Sequence, residues 1–214
     1  MKVAILAGGQ GTRLAEETRV KSKAMVRIGD QPILWHLLKY YEHWGYTQFV
    51  IALGYHADSI KEYFIETLRS VPVINGVQTV VQPETEPNWT IELIDTGLET
   101  MSGGRIKRLA PYLDDSAFML TWCDGLADVD LPRLREFHEA HGRLATLTAV
   151  HPPARFGRLT LAGDRITAFR EKTVDPDEWI NGAFFILEPG VFEYIAGDDT
   201  QWEREPLSRL AAEG

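Results

Sequence analysis

The sequence predicts an α/β fold: a mixed, mostly parallel central sheet flanked by helices, with a small antiparallel elaboration after residue 150. Three observations carry this expectation. Short apolar runs, "VAILA" (3–7), "FVIAL" (49–53) and "AFMLTW" (117–122), have no polar alternation and read as strands buried on both faces. Segments of helical apolar spacing lie between them, two opening at proline and closing at glycine. The first 70 residues therefore alternate strand, loop, helix, strand, helix, the grammar of right-handed crossover units.

The elements follow in order. "VAILA" runs straight into glycine, as a central parallel strand does at its carboxyl end. "QPILWHLLKYYEHWG" (31–45) starts a helix near Pro32 and stops it at Gly45, with Ile33, Leu34, Leu37, Leu38 and Tyr41 on the apolar stripe. "FVIAL" is the second strand. "HADSIKEYFIETL" (56–68) is a helix with Ile60, Phe64 and Leu68 on one face. "TVVQ" (79–82) and "IELI" (91–94) are short strands around the loop "PETEPNWT". "GRIKRLAPYL" (104–113) is expected as helix and "AFMLTW" as the third buried strand, running into "CDGLADVD". "LPRLREFHEAHG" (131–142) repeats the proline start and glycine stop, with Asp128 and Asp130 as candidate caps. "LATLTAV" (144–150) is strand, "RLTLAGDRITAFRE" (158–171) a hairpin turning at Gly163-Asp164, and "INGAFFIL" (180–187) a further strand. The last 25 residues are expected to be helical. No repeat or linker divides the chain, so one domain is expected over 1–214.

Composition narrows the function. The 214 residues are 44% hydrophobic and 25% charged, enough for a sizeable core. A net charge of -9, from 22 Lys and Arg against 31 Asp and Glu, argues against a nucleic-acid or anionic-membrane partner, though a local basic pocket fits within it. Cys123 is the single cysteine, which excludes an intramolecular disulfide and favours a cytoplasmic setting. No run approaches the ~18 apolar residues of a membrane helix. The sequon "NWT" reads as a chance match. His138 and His141, one helical turn apart, are expected to be solvated rather than metal-bound. Trp35, Tyr41 and Trp44 are expected in a core or interface, and Cys123 as a small buried residue.

The candidate site begins at the first glycines. "LAGGQGTRL" is not a Rossmann fingerprint, since Leu14 stands where its last glycine belongs, and no Walker loop is present. A dehydrogenase is correspondingly a distant reading. Gly8, Gly9 and Gly11 permit positive φ and let backbone N–H groups converge on one anion. Arg13 offers a bidentate fork for phosphate and Lys23 a point charge, with Arg19 and Lys21 nearby. An ordinary strand-to-helix turn with solvated cations accounts equally well for "GGQG" alone. The compound pattern A-G-G-x-G-T-R-L, followed by K-x-K-x-M, is far more specific. Asp124, at the end of a buried strand, is placed either to hold Mg²⁺ or to cap a turn.

"LAGGQGTRLAEETRVKSKAMVRIGDQPILWH" resembles the signature of sugar-phosphate nucleotidyltransferases. "LIDTGLETMSGGRIKR" and "WEREPLSRLAAEG" resemble segments of the glucose-1-phosphate cytidylyltransferase branch. "TWCDGLADVDL", "PPARFGRL" and "REKTVDPDEWINGAFFIL" follow in the same order, so the likeness spans nearly the whole chain. The resemblance implies a Rossmann-like sheet of the nucleotide-diphospho-sugar transferase type. It also implies transfer of a cytidylyl group from CTP to α-D-glucose 1-phosphate. The alternatives are another nucleotide and sugar-phosphate pair, or a non-catalytic binding module. Leu6, Ala7, Gly8, Gly9, Gln10, Gly11, Thr12, Arg13, Lys23, Thr100, Gly104, Arg105 and Cys123 would line the nucleotide. Glu171, Lys172, Asn181 and Gly182 would hold the sugar phosphate. Arg13, Lys23 and Asp124 would be catalytic, with Asp124 holding Mg²⁺. The partners would be small-molecule substrates, and a homo-oligomer stays open.

Three departures from the family pattern stand out. Ser22 and Ala24 occupy the positions of prolines that usually flank the signature lysine, which predicts a looser turn around Lys23. Cys123 replaces the glycine common before the metal aspartate, so a side chain is expected to crowd that spot. The sequence also ends, at Gly214, before the family's C-terminal segment with its second metal aspartate.

Overall fold

Strand β1 (Val3–Leu6) is buried on both faces, as its continuous apolar run predicts. The computed structural model describes residues 1–9, 22–67, 69–70, 78–81, 89–153, 157–171 and 177–214. After β1 the described chain resumes at a 3-10 turn (Lys23–Met25) and a two-residue ribbon, β2 (Arg27–Ile28) with β3 (Gln31–Pro32). Helix α1 (Ile33–His43), strand β4 (Gln48–Leu53), helix α2 (Ala57–Thr67), strands β5 (Arg69–Ser70), β6 (Gln78–Val81) and β7 (Thr90–Asp95) follow. Then come α3 (Ser102–Leu109), β8 (Phe118–Trp122), α4 (Leu131–His141), β9 (Ala145–Val150), β10 (Arg158–Ala162), β11 (Arg165–Arg170), β12 (Ile180–Leu187) and α5 (Glu205–Glu213). Among the described residues, no helix is long and apolar enough to cross a membrane.

Eight strands form one sheet in the order β5-β6-β7-β4-β1-β8-β12-β9. The centre is parallel: Val3 lies opposite Phe49 of β4 and Met119 of β8, and Gln48 of β4 opposite Thr90 of β7. Antiparallel pairs flank it, β6 against β7 and β12 against β8. From β1 the chain steps to β4 and β7 on one side, then returns to β8 on the other. β1 and β8 are thus neighbours across a topological switch, where ligands bind at strand carboxyl ends.

Alternate strand residues serve two cores. Val3, Ile5, Phe49, Ile51 and Met119 pack under Leu34, Leu37, Leu38 and Tyr41 of α1 and Ile60 and Phe64 of α2. Ala4, Leu6, Val50, Phe118 and Leu120 pack under Ile106 and Leu109 of α3, with Val191, Ile195 and Trp202. Both faces are covered, which is why these strands carry no polar alternation. Trp35 and Trp44 are partly buried against the first core, and Tyr41 is fully buried.

Several expectations need correction. The final 25 residues are not one helical stretch: a 3-10 segment (Pro189–Tyr194) and α5 enclose the non-helical residues 195–204. Pro189 and Gly190, then Gly197 beside Asp198-Asp199, interrupt helical propensity there. The helix expected over 104–113 starts at Ser102 and gives way after Leu109 to a 3-10 turn (Ala110–Tyr112) containing Pro111. Asp130 alone caps α4, accepting from the Arg133 N–H at 3.0 Å, and Gly142 closes it with φ 62°. His138 is not solvated: it is 2% exposed, while His141 is partly exposed, and both rings meet the Thr146 hydroxyl, at 2.8 and 2.6 Å. Glu188 Oε1 lies 3.2 Å from His138 Nε2, so the cluster ties α4 to β9 and the end of β12.

The chain packs as two units, Met1–Thr146 with Ala183–Gly214, and Leu147–Gly182. The second holds the expected hairpin: β10 and β11 pair antiparallel, Arg158 opposite Arg170, and turn at Gly163 with φ 57°. Within it, the His151 ring packs against Trp179 at a tilt of 36°, centroids 3.7 Å apart.

Candidate active site

A cavity of about 360 Å³ opens at the carboxyl ends of β1 and β8. Leu6, Ala7, Gly8 and Gly9 form its floor, Trp122, Cys123 and Asp124 one side, Leu98–Ser102 the other, and Ser22 and Lys23 its rim, with Arg105 behind. The floor continues the sheet: Ala7 N–H donates to Ala52 O at 3.0 Å, and Cys123 N–H to Leu6 O at 3.1 Å. Two strand ends therefore stay in register where they enter the cavity.

Neither Gly8 nor Gly9 takes the positive φ that glycine permits. The reason for glycine at position 8 is a close approach. A Cβ there would lie 2.4 Å from Arg105 Nη1, and one at Gly54 would meet the same atom at 2.4 Å. The Arg105 guanidinium thus fills the space beside two glycines at the ends of β1 and β4. It donates through Nη1 to Leu53 O (3.0 Å), Thr96 Oγ1 (2.8 Å) and Gly97 O (2.7 Å), and through Nη2 to Leu98 O (3.2 Å). Thr96 in turn donates its hydroxyl to Leu53 O at 2.6 Å. Arg105 is 5% exposed, and burial pulls its guanidinium below the ordinary value, with Asp95 opposing that shift. It brings a buried positive charge to the cavity wall while bracing the loop between β7 and α3. Among the described residues, by contrast, nothing lies within 4 Å of a Cβ at Gly9.

Lys23 sits in the 3-10 turn with its Nζ 3.3 Å from Asp124 Oδ2, the two side chains 22% and 40% exposed. Proline's constraint is replaced here by packing and a cap. Ser22 is buried and its Oγ accepts from the Ala24 N–H at 3.3 Å, while Ala24 is wholly buried in the first core. Cys123 lines the cavity and is 7% exposed. Burial, with the Asp124 charge beside it, pushes its thiol up to about 12, so it is a neutral side chain rather than a nucleophile.

The other expected residues divide. Thr100 is buried and lines the cavity. Gly104 does not line it; this glycine backs onto Asp198, where a Cβ would lie 2.6 Å from the Asp198 Cα. Gln10, Gly11, Thr12, Arg13 and Lys172 lie outside the described residues. Glu171, Asn181 and Gly182 belong to the second unit. A Cβ at Gly182 would stand 2.8 Å from the Thr148 carbonyl oxygen, so its close backbone approach is to β9. Sequence reasoning missed Ser22, Leu98, Glu99, Met101, Ser102 and Trp122 as cavity residues. Leu98 and Met101 had a readable signal: two large apolar residues in a polar, glycine-bearing loop. They are 55% and 44% exposed and give the wall an apolar surface suited to a flat ring.

The arrangement joins backbone at two parallel strand ends, a buried guanidinium, an ammonium beside a carboxylate, and an apolar wall. Such a site can position an anionic ligand that carries a planar group. A family model described as nucleotidyl transferase matches residues 2–210. The chain is 46% identical over its whole length to the glucose-1-phosphate cytidylyltransferase of Salmonella typhimurium, covering 85% of that protein. It is 41% identical to the probable glucose-1-phosphate cytidylyltransferase of Bacillus subtilis, with the same coverage. Among solved structures, HddC from Yersinia pseudotuberculosis complexed with GMP-PN matches at a TM-score of 0.71 and 26% identity, over 97% of this chain and 85% of that one. On its sequence, its sheet and these matches, the chain belongs to the nucleotidyl transferase family.

Proposed function

We propose that the protein transfers the cytidylyl group of CTP to α-D-glucose 1-phosphate, forming CDP-glucose and pyrophosphate. The observation that carries this reading is 46% identity along the whole of this chain to a glucose-1-phosphate cytidylyltransferase, with the Leu98–Ser102 wall drawn from the stretch that resembles the cytidylyl branch. In the reaction a phosphate oxygen of the sugar attacks the α-phosphorus in line. The new P–O bond forms as the bond to the β-phosphate bridging oxygen breaks, and pyrophosphate leaves with that electron pair. The nucleophile is already an oxyanion, so no side chain need act as a base. The protein's work is to hold two repelling anions together and to stabilise spread charge.

In this reading Lys23 leaves Asp124 to meet phosphate oxygens, the Gly8–Gly9 backbone supports the nucleotide, and Arg105 adds buried positive potential. Arg13 is proposed as a second phosphate ligand on the strength of the motif. Asp124 is the proposed Mg²⁺ ligand: its carboxylate is partly exposed at the cavity. Among the described residues no cluster of three or more His, Cys, Asp and Glu surrounds it. A single carboxylate suits an ion that keeps several waters and takes phosphate oxygens for the rest. Bound there, Mg²⁺ would neutralise charge on the phosphates. A free, buried Cys123 as the sole cysteine is consistent with a cytoplasmic setting.

A different base is the second reading, favoured by the GMP-PN complex of the structurally similar HddC. The test is a matrix of nucleoside triphosphates against sugar 1-phosphates with Mg²⁺, read by pyrophosphate release. CTP with glucose 1-phosphate is expected to give the highest kcat/KM. A higher value for another pair would reassign the substrate, and nucleotide binding without turnover in any pair would make the protein a binding module.

A further inference from the structure

Helix α3 opens with Ser102-Gly103-Gly104, and its first N–H groups would ordinarily form an anion seat beside a nucleotide. Here they are already occupied by protein. Met101 N–H donates to Asp198 O at 2.8 Å, and Gly103 and Gly104 N–H donate to Thr200 O at 2.9 and 3.3 Å. Residues 196–204 therefore lie across the helix start as a strap. Both glycines make room for it. A Cβ at Gly103 would stand 2.7 Å from the Thr200 carbonyl oxygen, and one at Gly104 would stand 2.6 Å from both Cα and O of Asp198. These contacts are with backbone, so no rotamer change could relieve them.

Side chains fasten the strap at each end. Arg108 grips both oxygens of Asp198, Nε at 2.9 Å and Nη2 at 2.6 Å, and its Nη1 donates to Thr96 O at 3.1 Å. Ser102 Oγ donates to Glu203 Oε2 at 2.5 Å and accepts from the Trp202 N–H at 2.9 Å. Trp202 itself is fully buried. Lys107 bonds the Ile195 carbonyl. Among the described residues lining the cavity, none comes from the strap. Yet the strap holds Met101 and Ser102, which do line it, and through Arg108 it reaches Thr96 at the root of the Leu98–Thr100 loop.

We propose that residues 196–204 position the Leu98–Ser102 wall of the cavity. Asp198, Arg108 and the Gly103-Gly104 pair are then positioning residues that raise affinity for the nucleotide without touching it. The inference rests on the reading of this cavity as the nucleotide seat. A wall ordered before binding spares the ligand the cost of ordering it, and a released wall lowers affinity while leaving the reacting centre intact.

The test compares Asp198→Asn, Gly104→Ala, Arg108→Asp and Asp198→Arg singly, and the exchange that combines the last two. It reads CTP Kd by calorimetry, KM for each substrate, and Tm. The expected result is a CTP Kd raised about fivefold in Asp198→Asn and further in Gly104→Ala, and partly restored in the exchange pair relative to either single change. KM for the sugar phosphate should stay within about twofold of wild type, because that substrate makes no demand on the wall. Folded variants that bind CTP as wild type does, even with a lower Tm, would overturn the proposal by showing the strap to be structural only. If Gly104→Ala does not fold, Asp198→Asn decides. If wild type holds another triphosphate more tightly than CTP, the base assignment fails, and the same comparison with that triphosphate decides the strap separately. If wild type binds no triphosphate, both proposals fall.

Discussion

Lys23 reaches Asp124 across 3.3 Å, and two partly exposed ions at that distance gain little from one another. The contact is therefore cheap to exchange for a phosphate. Lys23→Ala is expected to lower kcat by about 10²–10³ while changing CTP Kd far less, because charge stabilisation is worth most where charge develops. Matched kinetics and calorimetry check this, and equal losses in both would remove the transition-state role. The sequence singled out Lys23 and the first glycines by their motif and Asp124 by its place at a strand end, and the fold brings all of them to one cavity. The sequence did not show why position 8 demands glycine. The need for glycine there comes from Arg105, distant in sequence, whose guanidinium no local pattern places beside β1. Ser22 and Ala24 carry the same lesson. Read locally they are missing prolines; in the fold one caps the turn and the other is buried in the core.

At the scale of elements, the strap on α3 has a pH signature. Hydrogen bonds from Arg108 hold the Asp198 carboxyl below its ordinary value of 3.8. A carboxylate with a depressed folded pKa stabilises fully above its unfolded pKa, and the effect is lost as pH falls through the folded one. The Tm difference between wild type and Asp198→Asn should therefore be steady from pH 7 down to about 5 and shrink progressively below it. Thermal scans across that range check the sign, and a difference that grows on acidification would contradict it. Most elements were readable to within a residue or two, because both-sided burial gives strands an unbroken apolar run and helices their proline and glycine ends. The strap was not. Its residues carry no periodicity, and its backbone bonds run to a helix that begins at Ser102. The His138–Thr146–His141 cluster, with His138 and Thr146 buried and His141 partly so, escaped for a related reason: helical spacing shows that two histidines share a face but not what covers it.

For the whole molecule, topology places the chemistry. The chain leaves β1 toward β4 and returns to β8 on the other side, so β1 and β8 open a cleft at their carboxyl ends. The helices on both faces bury the sheet and hold those two ends in register. An acidic protein can then keep its cations where they matter: Lys23 and Arg105 line a cavity in a chain of net charge -9. A crystal structure with bound CTP decides whether this cleft seats a nucleoside triphosphate. Phosphate density is expected within hydrogen-bond reach of Lys23 Nζ and the Gly8–Gly9 backbone, with the base against Leu98–Ser102. Phosphates bound elsewhere on the molecule, with the cleft between β1 and β8 empty, would contradict it.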